Sequence, residues 1–227
     1  ALCISDESDW GSGRVPSHLD NCSFINVDSR WFAIYMHGNF SSSFAFLPGG
    51  GGQVIENCHF YNCSGWGEYS ACIGLSHSDV IIRDSEFTDL EGGQGSAIMV
   101  GGLAWEHEAF SGRNTVANNV TIERCNFTNN YATADHPGSY VPPTYYSNGT
   151  LKHNGGTFNA TGDAGAIFVH GNGTKIIDCI FDSNVADNAS GAAIYIVGMN
   201  TTILNSEFYD HESQNGTIFL VGDDCKI

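Results

Sequence analysis

The sequence predicts an all-β fold, a right-handed parallel β-helix (a solenoid) of about six coils with three loop insertions. Three observations predict it: two strand-like motifs alternate along the chain, their spacing is constant where nothing intervenes, and equivalent positions form columns of one residue type. Alternation of two units at a fixed period is the signature of stacked coils.

The first motif reads small-small-Ile and ends at Ile34, Ile73, Ile98, Ile167, Ile194 and Ile218. The second reads apolar-apolar-x-x-Cys/Ser-x-Phe and ends at Phe24, Phe60, Phe87, Phe127, Phe181 and Phe208. Uninterrupted coils are about 27 residues long, as from Phe60 to Phe87, Phe181 to Phe208 and Ile167 to Ile194. β-Branched runs such as Val80-Ile81-Ile82 and Val120-Thr121-Ile122 make the repeated elements strands, two or three to a coil. No segment carries a sustained helical apolar period. The insertions fall between motifs, at about 35–53, 99–118 and 131–163, and hold the glycine run 49–52, Pro142-Pro143 and a Tyr/Asn/Gly-rich stretch. Residues 1–227 therefore read as one domain. A coil this small cannot bury its own apolar face, so it stacks on neighbours, and the crossover rule for parallel strands sets a right-handed coil.

Composition bounds the function. Eight basic against 25 acidic residues give a formal net charge of −17, which argues against a nucleic-acid partner. No run of 18 apolar residues predicts membrane insertion, and no signal peptide precedes Ala1, a start compatible with cleavage after one. Eleven Asn-x-Ser/Thr sequons occur, at Asn21, Asn39, Asn62, Asn119, Asn126, Asn148, Asn159, Asn172, Asn188, Asn200 and Asn215. With 20 Asn and 35 Ser plus Thr in 227 residues, chance gives about three. A turn-rich β-helix generating sequons is one explanation. The better one is N-linked glycans added in a eukaryotic secretory pathway, which places the protein outside the cell or at its surface.

Eight cysteines in an exported chain lead to an expectation of disulfides. Cys22 and Cys58 share a column, as do Cys125 and Cys179, at a coil spacing of about 4.7–4.9 Å that lies within the Cα range of a disulfide. Cys63 and Cys72 flank a short turn. An unbridged thiol ladder is the alternative. Cys3 and Cys225 stand at opposite ends, roughly 29 Å apart along six coils. Linking Cys3 of one molecule to Cys225 of the next would join chains head to tail, and the absence of a capping helix after Ile218-Phe219-Leu220-Val221 leaves strand edges of the kind that build open filaments.

Two runs carry a family resemblance. Ala164-Gly165-Ala166-Ile167 and Gly191-Ala192-Ala193-Ile194 resemble the GGA[ILV] element of polymorphic-membrane-protein-type repeats, and Phe127-Thr128-Asn129-Asn130 and Phe181-Asp182-Ser183-Asn184 resemble their FxxN partner. Phe87, followed by Thr-Asp-Leu, and Phe208, followed by Tyr-Asp-His, depart from the pattern. The resemblance implies a β-helical surface protein with an adhesive or structural role, distantly related to pectate-lyase-like β-helices. The outer-membrane barrel that accompanies such repeats in autotransporters is not found within these residues.

β-Helices also include polysaccharide lyases and hydrolases, and a few residues of this chain are of the types such enzymes use. Arg83 and Arg124, read as outward on strands, are the weak candidates for a uronan lyase base. They alternate with acids in two outward rows, Glu56-Arg83-Glu123 and Asp84-Arg124-Asp178, as an ion-pair ladder would. Asp223 and Asp224, in Gly222-Asp223-Asp224-Cys225, resemble the paired carboxylates of polygalacturonases, but the Asn-Thr-Asp, Gly-His-Gly and Arg-Ile-Lys elements are missing. His59, His77, His107, His136, His153, His170 and His211 show no metal-ligand spacing, and Trp105-Glu106-His107-Glu108 is the densest cluster. No cofactor or metal site is expected. Ca²⁺ at Asp6, Glu7 and Asp9, or at Asp223 and Asp224, has no supporting motif. Trp66, Trp105 and the tyrosines of 139–146 are candidate stacking platforms for a carbohydrate ligand. The function expected is that of a non-enzymatic extracellular structural glycoprotein, the repeating subunit of a surface filament. A carbohydrate-active enzyme and an adhesin are the alternatives.

Overall fold

The computed structural model describes residues 2–5, 18–29, 32–37, 52–65, 71–76, 79–101, 117–135, 139–141, 144–145, 151–153, 156–158 and 161–227. It is a right-handed parallel β-helix of about six coils. Each coil contributes to four parallel sheets, not to two or three. In chain order through a coil these are B, C, D and A. Sheets B, C and D have six strands each and sheet A has seven, the first being Leu2–Ser5. Coil three shows the unit: Ile81–Arg83 in B, Glu86–Thr88 in C, Glu91–Gly92 in D and Ile98–Val100 in A.

Register is one to one from coil to coil, so side chains of one kind stack. Phe87 pairs with Phe60 and Phe127, and Phe181 with Phe208. From Phe60 to Phe208 the rings lie 4.8 Å apart and within 8° of parallel. Sheet B supplies Ile55, Ile82, Ile122 and Ile176, and sheet A supplies Ile73, Ile98, Ile167 and Ile194, all fully buried. Sheet D is built on small inward residues, Gly65, Gly92, Ala132 and Ala186, which leave no apolar period to read. The coil also claims the edges of the expected insertions. Phe32–His37 is one sheet A strand, Met99 and Val100 lie in another, and Tyr131–Thr133 belongs to sheet D. Within the third insertion the described strands form antiparallel pairs, Ser139–Val141 with Gly156–Phe158 and Thr144–Tyr145 with Leu151–His153.

Four corners per coil turn the chain: three pass through one left-handed residue in every coil, and the fourth, between D and A, does so at Gly95, Ala164, Gly191 and Gly216. Asn21, Asn57, Asp84, Arg124, Asp178 and Asn205 serve between B and C; Asn26, Asn62, Asp89, Asn129, Ser183 and Asp210 serve between C and D. Between A and B the corner residues are Gly52, Asp79, Asn119, Gly173, Asn200 and Asp224. Asn, Asp and Gly tolerate this conformation best, which accounts for the Asn-rich composition. Arg124 is thus a corner residue with φ 51°, not a strand residue. Corner amides are not left to solvent: Asp84 N–H donates to Glu123 O at 3.1 Å and Arg124 N–H to Ile177 O at 3.0 Å, each across to the next coil. After sheet A the backbones approach closely, and a Cβ on Gly198 would sit 2.0 Å from the carbonyl oxygen of Gly171.

Two columns explain residue choices that periodicity leaves open. In the first, just before each Phe, Cys58, Cys125 and Cys179 donate their thiols to the carbonyl two residues back, at 3.2–3.3 Å. Ser85 and Ser206 make the same bond at 2.8 and 3.0 Å, so Cys and Ser alternate because each offers a small donor. In the second, three residues after each Phe, stand Val27, Cys63, Leu90, Asn130, Asn184 and His211. Asn130 Nδ2 donates to Asn184 Oδ1 at 2.9 Å and to Phe87 O at 3.1 Å, and Asn184 Nδ2 donates to Phe127 O at 2.9 Å. The FxxN asparagine is therefore a buried ladder that satisfies backbone groups the coil would otherwise strand.

Truncating Phe127 to Ala opens the ring stack at its centre, an expected loss of about 3–5 kcal/mol in urea unfolding, against under about 0.5 for outward Thr128→Ala. Asn184→Ala removes the amide that Phe127 O accepts from and the oxygen that the Asn130 backbone N–H and one Nδ2 hydrogen donate to, and costs at least about 2 kcal/mol in the same measurement.

Candidate functional site

The outer face of sheet B and its corner to sheet C carry the densest charge among the described residues. Register sets it up: Asp20, Glu56, Arg83 and Glu123 follow one another on adjacent strands, and Asn57, Asp84 and Arg124 stand at the corners beside them. Arg83 Nε donates to Glu56 Oε2 at 2.6 Å, and the other Glu56 oxygen meets His18 Nε2 at 2.7 Å. Arg124 forks onto Asp84 through Nε and Nη2 at 2.7 and 2.9 Å, and Nη2 also reaches Glu123 at 3.0 Å. The two rows expected from sequence therefore cross-link: Arg124 turns back to Asp84 of the preceding coil and sideways to Glu123.

The electrostatics follow from these contacts. Bonding to Arg83 and then to His18 holds Glu56 below the usual glutamate range, and bonding to Arg124 does the same for Asp84. Conversely, Glu56 raises Arg83, and Asp84 with Glu123 raises Arg124. A lyase base must give up its proton before it can take one. Both guanidiniums are held protonated with their donors engaged, so the arrangement is suited to holding strands in register. It is poorly suited to proton abstraction.

The other expected site falls into the coil geometry. Gly222-Asp223-Asp224-Cys225 repeats the corner seen at Gly198-Met199-Asn200-Thr201. Gly222 packs on Gly198, the Asp223 carbonyl accepts from Asn200 N–H at 3.0 Å, Asp224 takes φ 56°, and Cys225 faces inward. Lys226 then pairs with Thr202, opening the next sheet B position. The Cys225 thiol points to Gly198 O at 3.5 Å, so a link to Cys3 of another molecule would have to draw that sulfur out of its column. Cys3 lies in the first sheet A strand, paired with Tyr35; its side chain is outside the described residues. The seven described cysteines are thiols, including those of the expected pairs Cys22 with Cys58, Cys125 with Cys179 and Cys63 with Cys72.

One constellation escaped the sequence reading. His18, Asp20 and Glu56 bring one imidazole nitrogen and two carboxylate oxygens within 4.8 Å of one another. Spacing within a motif does not show it, because Glu56 arrives from the next coil; the alternation His18-x-Asp20 was the available signal. Asn57 Nδ2 holds Asp20 Oδ1 at 2.8 Å while Arg83 occupies the far oxygen of Glu56. This donor set suits a borderline divalent ion, in competition with the ion pairs it already makes.

Of the eleven sequons, Asn39, Asn148 and Asn159 lie outside the described residues. So do Asp6, Glu7 and Asp9, Trp66, the 105–108 cluster and the side chains of Tyr140, Tyr145 and Tyr146. Asn21, Asn62, Asn119, Asn126, Asn188, Asn200 and Asn215 are exposed, and Asn172 is half-buried with its Oδ1 accepting from Met199 N–H at 2.8 Å. No helix among the described residues is long and apolar enough to cross a membrane. Comparison with protein-family models, with curated proteins and with solved structures finds no significant match to this chain.

The ionised Glu56 and Asp84 stabilise the fold above their unfolded-state pKa, and that contribution is lost as pH falls through the lower folded values. Arg124→Ala is expected to move the Asp84 carboxyl up toward the ordinary aspartate range in an NMR titration, while Glu56, held by Arg83 and His18, stays low. An Asp84 value indifferent to the substitution would contradict the ion-pair account.

Proposed function

We propose that this chain is a non-enzymatic, N-glycosylated structural or adhesive β-helix of the extracellular space or cell surface, exported through a eukaryotic secretory pathway. The observation that carries the reading is the exposure of seven of the eight described sequon asparagines. Corner geometry makes some sequons by itself: Asn21, Asn62, Asn119 and Asn200 are left-handed corner residues followed by an inward residue and an outward Ser or Thr. Asn188 shares that backbone and is followed by buried Ala189 and then Ser190, so five of the eight described sequons have that origin, while the eleven of the whole chain exceed the roughly three that chance gives. A hydrophilic sugar coat on an open stack would suppress lateral sheet association, the standing hazard of long parallel edges.

The non-enzymatic part is supported by the engagement of Arg83 and Arg124 in ion pairs and by the corner role of Asp223 and Asp224. Kinship with polymorphic-membrane-protein-type repeats belongs to the same reading, and it draws on the buried Asn130 and Asn184 of the two FxxN matches. Head-to-tail assembly would extend the same four ladders without any new kind of contact.

Site mapping by mass spectrometry on chain secreted from a eukaryotic host tests the proposal, using enzymatic deglycosylation that converts each occupied Asn to Asp. Occupancy is expected at most of the seven exposed sites, with Asn172 bare because its amide is tied to the next coil. Bare asparagines throughout, or turnover of a uronan that Arg83→Ala or Arg124→Ala abolishes, would overturn it.

A further inference from the structure

The outer face of sheet B has one place where its ladder of ion pairs does not balance. In the outward row Asp20, Glu56, Arg83 and Glu123, carried on adjacent strands in one-to-one register, Arg83 separates two acids. Asp20 and Glu56 stand side by side with no Lys or Arg between them. Like charges directly opposite one another in a sheet destabilise it. The outward row two residues earlier runs His18, Val54, Ile81, Thr121, Lys175 and Thr202, with His18 its single imidazole. The histidine of one row thus falls beside the acid–acid step of the other. His59 and Glu86 on sheet C make a similar pair at 3.0 Å, but no third ligating group joins them among the described residues.

Strand geometry brings the three groups to one point. His18 and Asp20 are two apart on one short strand, so both side chains face out while Leu19 packs against the core. Glu56 arrives opposite Asp20 from the next coil. His18 Nε2 lies 2.7 Å from Glu56 Oε1, and one ligating atom from each of the three residues lies within 4.8 Å of the others. A tetrahedral ion bound at about 2.0–2.1 Å keeps its ligands about 3.3 Å apart, a spacing inside that range. Both carboxylates are already oriented. Arg83 Nε donates to Glu56 Oε2 at 2.6 Å and Asn57 Nδ2 to Asp20 Oδ1 at 2.8 Å, as the neighbours of metal-binding carboxylates do. Only the hydrogen bond between His18 and Glu56 has to yield to an ion, and the imidazole then keeps its proton on Nδ1.

We propose that His18, Asp20 and Glu56 bind a divalent transition ion of the zinc class, which clamps the strand His18–Asp20 to the strand Val54–Glu56. The donor set selects the ion. Ca²⁺ and Mg²⁺ take oxygen ligands, whereas an imidazole nitrogen beside two carboxylates suits Zn²⁺. The charge of the ion cancels the repulsion between Asp20 and Glu56, the neutral imidazole adds none, and water completes the coordination. His18 and Glu56 are 38 residues apart in the chain, so the ion cross-links one coil to the next. Binding to the folded chain alone then stabilises it by mass action.

The test uses the full, untagged chain with Zn²⁺ or Co²⁺ added. In proton–nitrogen correlation spectra of the imidazoles, Zn²⁺ is expected to move the His18 Nε2 signal and to leave those of His59, His170 and His211 in place. Co²⁺ is expected to give visible d–d bands without the near-ultraviolet charge-transfer band that a cysteine thiolate would add. His18→Gln and Asp20→Asn change exposed, outward side chains and are expected to fold. Each is expected to weaken Zn²⁺ binding by more than about 100-fold, beyond the roughly 10–100-fold that loss of an orienting neighbour costs. His59→Gln is expected to bind as the parent does. Zn²⁺ is expected to raise the urea midpoint of the parent and to leave that of Asp20→Asn unmoved. A His18 signal indifferent to Zn²⁺, unchanged affinity in His18→Gln, or preference for Ca²⁺ over Zn²⁺ would overturn the proposal. None of these readouts depends on the sugar coat, so the clamp and the glycoprotein reading stand or fall separately.

Discussion

Everything in this molecule depends on one constraint: backbone hydrogen bonds run between coils rather than within them. Each residue is thereby placed about one strand spacing from its equivalent in the next coil. Whatever a position requires in one coil it requires in all, and the interior becomes a set of columns. The phenylalanine stack and the two isoleucine columns are the apolar outcome. The Cys/Ser column and the Asn130–Asn184 ladder are the polar outcome, where a small donor or an amide answers carbonyls that lie inside the coil.

The same constraint shapes the surface. A coil turning through single residues needs left-handed positions, and sixteen of the eighteen at the B–C, C–D and A–B corners hold Asn, Asp or Gly, as do three of the four described between D and A. Where Asn takes the corner, the next residue faces in and the one after faces out, so an outward Ser or Thr completes a glycosylation sequon. Corner architecture and the proposed sugar coat thus share residues. Outward charges meet their partners through register as well, which is why the Arg83 and Arg124 pairs read as ladder contacts and not as an active site.

Much of the fold was legible because the largest inward residues repeat. Phe24 to Phe208 and Ile34 to Ile218 mark sheets C and A, and the β-branched runs mark sheet B. Sheet D was not legible, since Gly65, Gly92 and Ala132 carry no apolar signal. The corners were visible as asparagine-rich turns, but Arg124 hid among them because its long side chain reads as a strand residue. Of the candidate sites, the charge pairing of Glu56 with Arg83 and Asp84 with Arg124 was visible as alternating rows. The meeting of His18, Asp20 and Glu56 was not, because one partner arrives a full coil later.

Amide hydrogen exchange at the corners tests the central claim most directly. Asn62, Asp84, Arg124 and Asn129 look like exposed turn residues, yet their N–H groups bond to carbonyls of the next coil at 2.9–3.1 Å. If inter-coil bonding governs the molecule, these amides exchange as slowly as those of the neighbouring strands. Rapid exchange at the corners beside protected strands would mean that the coils are joined only along their sheets, and the account of corners, columns and sequons as one system would be wrong.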